Sequence, residues 1–207
     1  MCLAWLAHAA TFVPLLHALI RLAARVPLRT LLLLLPAAVL MNSVVVIVAC
    51  AALRRLVCAR AVPGECLAIW SAPFARWWLA QRLLHAATVP LLLLRGSPAC
   101  ALALKLFGAR VGRGAVVETA AVSEPELLEV GEGASLGRDV AVVCHTWTRG
   151  HIRFDTVVVG AHAAVGPGSV LSAGAVVGAR ASVAPLSHVL GGRGGVPAGA
   201  HLSLIHI

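Results

Sequence analysis

The sequence predicts an α plus β-solenoid fold class: transmembrane helices followed by a parallel β-helix of hexapeptide repeats. Three observations predict it. From Val159 an aliphatic residue returns every six positions, at Val165, Leu171, Val177, Val183 and Val189. The residue after it is small in most units (Gly160, Gly166, Ser172, Gly178, Ala184), and so is the fourth position on, at Ala163, Ser169, Ala175, Ala181 and Ser187. Ahead of residue 107 the chain is uncharged over long stretches, and the hydrophobic fraction of the whole is 60%, against roughly 45–50% for a soluble globule.

The helices come first in the chain. Cys2–Ile20 is uncharged when His8 and His17 are neutral, and it lacks both the basic start and the cleavage site of a signal peptide. It is expected to be a first span. Thr30–Leu53 carries no charge and is long enough to cross a hydrocarbon core of about 30 Å. Pro36 and Asn42 inside it are tolerated in membrane helices. Arg21, Arg25 and Arg29 fill the turn between the two, giving a hairpin over residues 1–60. Residues 61–107 are expected to be an amphipathic, interfacial helical segment. Within it Trp77–Leu94 is apolar but holds Arg82 and His85 and opens on Trp70, Trp77 and Trp78, a mixture suited to the headgroup level or to a short third span.

The β-helix is expected over residues 108–200. A period of six fits neither a helix nor an alternating strand. One aliphatic per unit points inward and stacks on its equivalent one coil away, and a glycine or small residue beside it lets the backbone turn a corner. A single unit buries too little apolar surface, so several must stack. Val111 and Val117 open the series, and Val130, Leu136 and Val142 continue it. Two breaks disturb the phase, one near Ser123-Glu124-Pro125 and one from Cys144 to about Thr156. Residues 201–207, HLSLIHI, follow neither the repeat nor a capping pattern and are expected to be an aberrant or truncated tail.

The net charge is +9, almost wholly from arginine, and no acidic residue precedes Glu65. These arginines flank apolar helices rather than forming a basic face with stacking aromatics. That points to membrane lipid as a partner and not to nucleic acid. Arginines stand on both sides of Thr30–Leu53, so charge does not set orientation. The six cysteines contain no Cys-x-x-Cys pair, which argues for packing residues rather than a disulfide framework or a zinc ribbon.

The chemistry is expected in the second break, VVCHTWTRGHIRFDTVVVG, because loops on a rigid scaffold carry function. His145 is the candidate general base, able to take a proton from an attacking hydroxyl or amine. Arg149 and Arg153 could hold a donor's phosphates, and His151 and His162 are weaker candidates for substrate contact. Gly160 and Gly166 could offer backbone N–H groups to an oxyanion. Three histidines also form a sufficient zinc ligand set. The gamma-class carbonic anhydrases, however, place a close histidine pair with four residues between, where five separate His145 from His151.

Residues 108–200 resemble the left-handed parallel β-helix, or hexapeptide-repeat, acyltransferases, and the left hand comes from that resemblance. A narrower likeness spans Trp70-Ser71, Arg76-Trp77, LRGSP from Leu94, LFGARVGRGAVVET from Leu106, the His145 loop and VPAG from Val196. It is similar to the membrane-bound terminal region of the Pls/PosA-type nonribosomal peptide synthetases, the epsilon-poly-lysine synthetase type. There, membrane helices alternate with acetyltransferase-like units implicated in joining activated aminoacyl groups. His145 falls where that family keeps its loop histidine. Adenylation and carrier domains are not visible in this sequence.

The resemblance implies an acyl- or aminoacyltransferase with acyl-CoA or a phosphopantetheinyl thioester as donor substrate, no tightly bound cofactor and no metal. It also implies a homotrimer or an internal pseudo-oligomer. The expected setting is an integral, multi-pass membrane protein with the β-helix on the cytoplasmic side, where thioesters are made. Two other readings stay open, a non-catalytic β-helix scaffold and a zinc site of the gamma-carbonic-anhydrase kind.

Overall fold

The computed structural model describes residues 13–14, 16–18, 20–21, 27–58, 60–192 and 195–203. Most of the first candidate span, Cys2–Ile20, lies outside the described residues. The elements in order are α1 (Leu28–Val57), β1 (Cys66–Ala68), α2 (Ala72–Ala86), α3 (Thr88–Leu94), α4 (Pro98–Phe107), β2 (Arg110–Val111) and β3 (Val116–Val117). A 3₁₀ turn, Pro125–Leu127, leads into β4 (Leu128–Val130), β5 (Ser135–Leu136) and β6 (Ala141–Val142). Next come β7 (His145–Thr148), β8 (His151–Phe154), β9 (Val157–Val159), β10 (Ala164–Val165) and β11 (Val170–Leu171). The last are β12 (Val176–Val177), β13 (Ser182–Val183), β14 (His188–Val189) and β15 (His201–Leu202).

Short strands form three parallel sheets, ordered β12-β9-β4-β2, β15-β13-β10-β5-β3 and β14-β11-β6. Within these three sheets, strands adjacent in sequence do not pair. From β9 onward the chain visits the three sheets in rotation, so each strand pairs with the one that follows a full circuit later. Isolated bridges Val122–Val142 and Val177–Val196 keep the rotation where no strand forms. All six aliphatics from Val159 to Val189 point inward, none more than 3% exposed. The small residues four positions on, Ala163 to Ser187, are buried beside them and admit the larger side chains.

The small residue after each aliphatic has a different cause from the one expected. Gly160 lies under the next circuit: a Cβ there would come within 2.5 Å of the Ala179 backbone nitrogen. Close stacking, not a left-handed φ, demands glycine at this position. The left-handed corners fall two residues later, at His162 (φ 57°), Gly168, Gly174, Arg180 and Leu186. Only some of these are glycine, and the strain at the others is carried by the turn. His201 and Leu202, the start of the expected aberrant tail, pair in register with Ser182 and Val183 and extend the second sheet.

Among the described residues one helix, over Leu32–Val57, is long and apolar enough to cross a membrane. Its face Ser43, Val46, Ile47, Cys50, Ala51 and Arg54 is buried, at helical spacing, while Leu33, Met41, Val45, Leu53 and Leu56 are exposed. The buried stripe forms a second core with Leu84, Leu91 and Phe107 of α2 to α4. Among the described residues a multi-pass arrangement is not supported. Trp77–Leu94, expected as one segment, is split between α2 and α3 around Ala87. Pro90 contributes to the break, because it has no N–H to continue the α2 ladder. Unexpected in the 61–107 segment is β1, which joins the antiparallel hairpin β7–β8 as a separate three-stranded sheet.

Candidate functional site

Both breaks in the repeat meet at one point. At the second, β6 ends at Val142, and after the fully buried Cys144 the chain leaves the parallel sheets as the hairpin β7–β8. Arg149 (φ 29°) and Gly150 (φ 82°) turn it, a two-residue loop with both φ values positive, as right-handed strand twist favours. The excursion closes where the Asp155 N–H donates to the Cys144 carbonyl at 2.9 Å. At the first break Pro125–Leu127 forms the 3₁₀ turn, and Glu124 just before it is wholly buried.

Glu124 Oε1 is 2.9 Å from His145 Nδ1 and accepts from Trp77 Nε1 at 3.1 Å and from Gln81 Nε2 at 3.0 Å. A carboxylate at this distance only accepts, so in a neutral His145 facing it the ring proton would be on Nδ1 and the lone pair on Nε2. Trp77 and Gln81 lie one turn apart on α2, which Ser71 caps by accepting from the Phe74 N–H. The Trp77 ring stands edge-on to His145 and to Trp147, with centroids 5.5 and 5.9 Å away. The imidazole is thus walled by aromatics, yet 15% of its side-chain surface stays open. Glu124 Oε2 is buried without a partner among the described residues.

Cys144, next to His145 in sequence, is poorly suited to be a nucleophile. Burial first, then the Glu124 and Glu126 carboxylates, push its thiol far above the ordinary value. Beside the dyad lies a cavity of about 370 Å³ between α2–α3 and the outer side of the sheets. Gln81 belongs to both places, lining the cavity with Leu84, Thr88, Ser123 and Val143 while bonding to Glu124. His85 lines it too, held below its ordinary pKa by burial and then by Arg82.

The other expected residues lie apart from His145. In the hairpin, His145 and Trp147 pair with Phe154 and Ile152, whereas Thr146 and Thr148 pair with Arg153 and His151. Paired residues share a face and successive residues alternate. Arg153 and His151 are therefore on the far face of the ribbon, and Arg149 is at its tip. His162 is a corner residue whose ring covers Gly133 one circuit back. The expected oxyanion donors are already used: Gly160 N–H donates to Val177 O at 2.7 Å and Gly166 N–H to Val183 O at 2.8 Å. Among the described residues no group of three His, Cys, Asp or Glu side chains is placed to hold a metal, so the zinc ligand set of His145, His151 and His162 is not assembled.

Glu124 was legible only as a break in phase, and Trp77 as a headgroup aromatic. A carboxylate in the middle of an apolar repeat is the signal that could have found the first. Helical spacing from Trp77 to Gln81, with both polar tips on one face, could have found the second.

No family model matches the chain, and no solved structure matches it significantly. Over 121 residues, 58% of its length, it is 29% identical to the delta-poly-L-ornithine synthetase of Acinetobacter baumannii (strain AB307-0294). The matched stretch is 9% of that much longer protein, which makes the chain similar to a small part of a synthetase of the Pls-like type.

Proposed function

We propose that this chain is the acyl- or aminoacyl-transferring part of a synthetase-related membrane protein, with His145 as general base and Glu124 as the group that orients it. The observation that carries the proposal is the Glu124–His145 pair, fixed by Trp77 and Gln81 where both breaks in the repeat meet. A histidine kept in one tautomer by a buried, hydrogen-bonded carboxylate is built to accept a proton on Nε2 and to be stabilised when charged.

The step balances without a cofactor. A hydroxyl or amine acceptor attacks the thioester carbonyl, and Nε2 removes its proton. The new C–O or C–N bond forms, the C–S bond breaks, and the imidazolium returns the proton to the departing thiolate. The donor is acyl-CoA or a phosphopantetheinyl thioester. The similarity to a poly-ornithine synthetase favours an amine acceptor and an aminoacyl donor. The cavity beside Gln81 is the place for part of one substrate.

In this proposal the three parallel sheets are the faces of a β-helix, which their rotation and six-residue corners support; its left hand rests on the resemblance to the hexapeptide-repeat acyltransferases. The long apolar helix α1 anchors it in a membrane, with the sheets on the cytoplasmic side where thioesters are available.

The test is thiol release from a panel of acyl and aminoacyl thioesters with amine and hydroxyl acceptors, wild type beside His145→Ala. Turnover is expected to fall by about 10²-fold or more, with the melting transition unchanged. Equal release from both proteins removes His145 from the chemistry and favours a scaffold.

A further inference from the structure

Where α1 ends, three arginines converge. Arg54, Arg55 and Arg60 line a cavity of about 230 Å³ with Cys58, Gly108 and Glu126. Arg54 is 6% exposed. Its Nη2 donates to both Glu126 carboxylate oxygens, at 2.8 and 3.0 Å, while its Nη1 is buried without a partner among the described residues. Three guanidinium groups against one carboxylate leave an excess of two positive charges around the cavity. Arg54 and Arg55 lie in the last turn of α1, where the carbonyl end offsets part of their charge. Arg60 lies beyond that turn.

A buried guanidinium N–H without an acceptor is costly, and arginine forks match phosphate oxygens. We propose that Arg54, Arg55 and Arg60 form a binding site for a phosphate-bearing anion, supplied either by an anionic phospholipid headgroup or by a free phosphate. The cavity sits at the end of the apolar stretch, the level at which headgroups would lie if α1 crosses a membrane. The site stands on the arginine geometry and is independent of the transfer chemistry; only the lipid source rests on the proposed anchoring.

The test is calorimetric titration of the detergent-solubilised full chain with short-chain phosphatidylglycerol, with diacylglycerol of the same chains, and with inorganic phosphate. Binding of phosphatidylglycerol but not of diacylglycerol, with phosphate as competitor, is expected and assigns the headgroup. Binding of phosphate with no gain for phosphatidylglycerol assigns the free anion. Equal binding of the two lipids, or no binding of any probe, overturns the site.

The double variant Arg55→Gln/Arg60→Gln keeps the Arg54–Glu126 pair and is expected to weaken phosphatidylglycerol binding about tenfold or more. Arg138→Gln/Arg180→Gln removes the same charge at exposed positions elsewhere and is expected to leave it unchanged. An equal loss in both would mean attraction to overall charge, and the site would be abandoned.

Discussion

The circuits from Val157 to Val189 and the two breaks at Ser123–Pro125 and Cys144–Thr156 belong to one chain but follow different rules. In the circuits a residue's job is repeated six positions on: Val159, Val165 and Leu171 are each buried, and each stacks against an equivalent. At the breaks no job is repeated. Glu124 has Trp77, Gln81 and His145 as partners, drawn from an α-helix and an extruded hairpin. Repetition makes the scaffold close-packed and gives it no chemistry, because every buried position is apolar or small. The breaks give up stacking and place a carboxylate and an imidazole where the rigid circuits hold them. Substitutions in the circuits should therefore change stability and leave turnover per folded molecule intact, and substitutions at the breaks should do the reverse.

The largest effects on stability are expected inside the circuits; in Gly160→Ala the added Cβ would meet backbone rather than a movable side chain, 2.5 Å from Ala179 N. Overpacking against a rigid circuit should cost about 3 kcal/mol, read as a fall in the denaturant midpoint. Leu171→Ala, at a fully buried position, belongs in the same range at about 2–5 kcal/mol. Both should retain thioester turnover in the folded fraction. Loss of turnover without loss of stability in either would erase the division between circuits and breaks.

Glu124→Gln sharpens the same comparison from the other side. Its amide oxygen can take the place of Oε1 and keep all three donors, while the amide nitrogen occupies the unpartnered Oε2 position. The fold should survive. The charge that stabilises imidazolium is gone, and turnover is expected to fall by about 10- to 100-fold, in kcat more than in KM. A change in KM alone would move Glu124 from positioning the base to shaping the cavity. Cys144 offers a check that needs no assay of transfer. Buried, with its thiol held protonated, it should resist alkylation in the native protein while the exposed Cys66 reacts. Equal labelling would show that the circuit opens beneath the hairpin.

What could be read from the sequence follows the same boundary. The inward aliphatics from Val111 to Val189 were legible because a period of six has one structural cause, and the breaks were legible as failures of that period. The partners across the breaks were not. Glu124 and His145 are separated by a full circuit, and Trp77 comes from a helix whose packing no periodicity encodes. Arg149, His151 and Arg153 share the loop with His145, but strand alternation and the hairpin turn set them away from it. The glycines were legible as a pattern and misread as to cause. Gly160 and Gly166 serve close stacking, with their N–H groups already spent in the sheets.

The smallest expected effect tests that last distinction. Gly114 has φ 67° and nothing within 4 Å of an added Cβ, so only its backbone conformation favours glycine. Gly114→Ala should then cost no more than about 1–2 kcal/mol, the penalty of a left-handed residue, and Gly114→Asn less, since asparagine visits that region more readily. Gly160 should show the opposite order of tolerance, with alanine the least harmful choice and asparagine worse, because there the obstacle is the volume of the side chain. If asparagine were preferred over alanine at both positions, a left-handed φ would be the common requirement. The close approach of successive circuits at Gly160 would then have to be relaxed in solution.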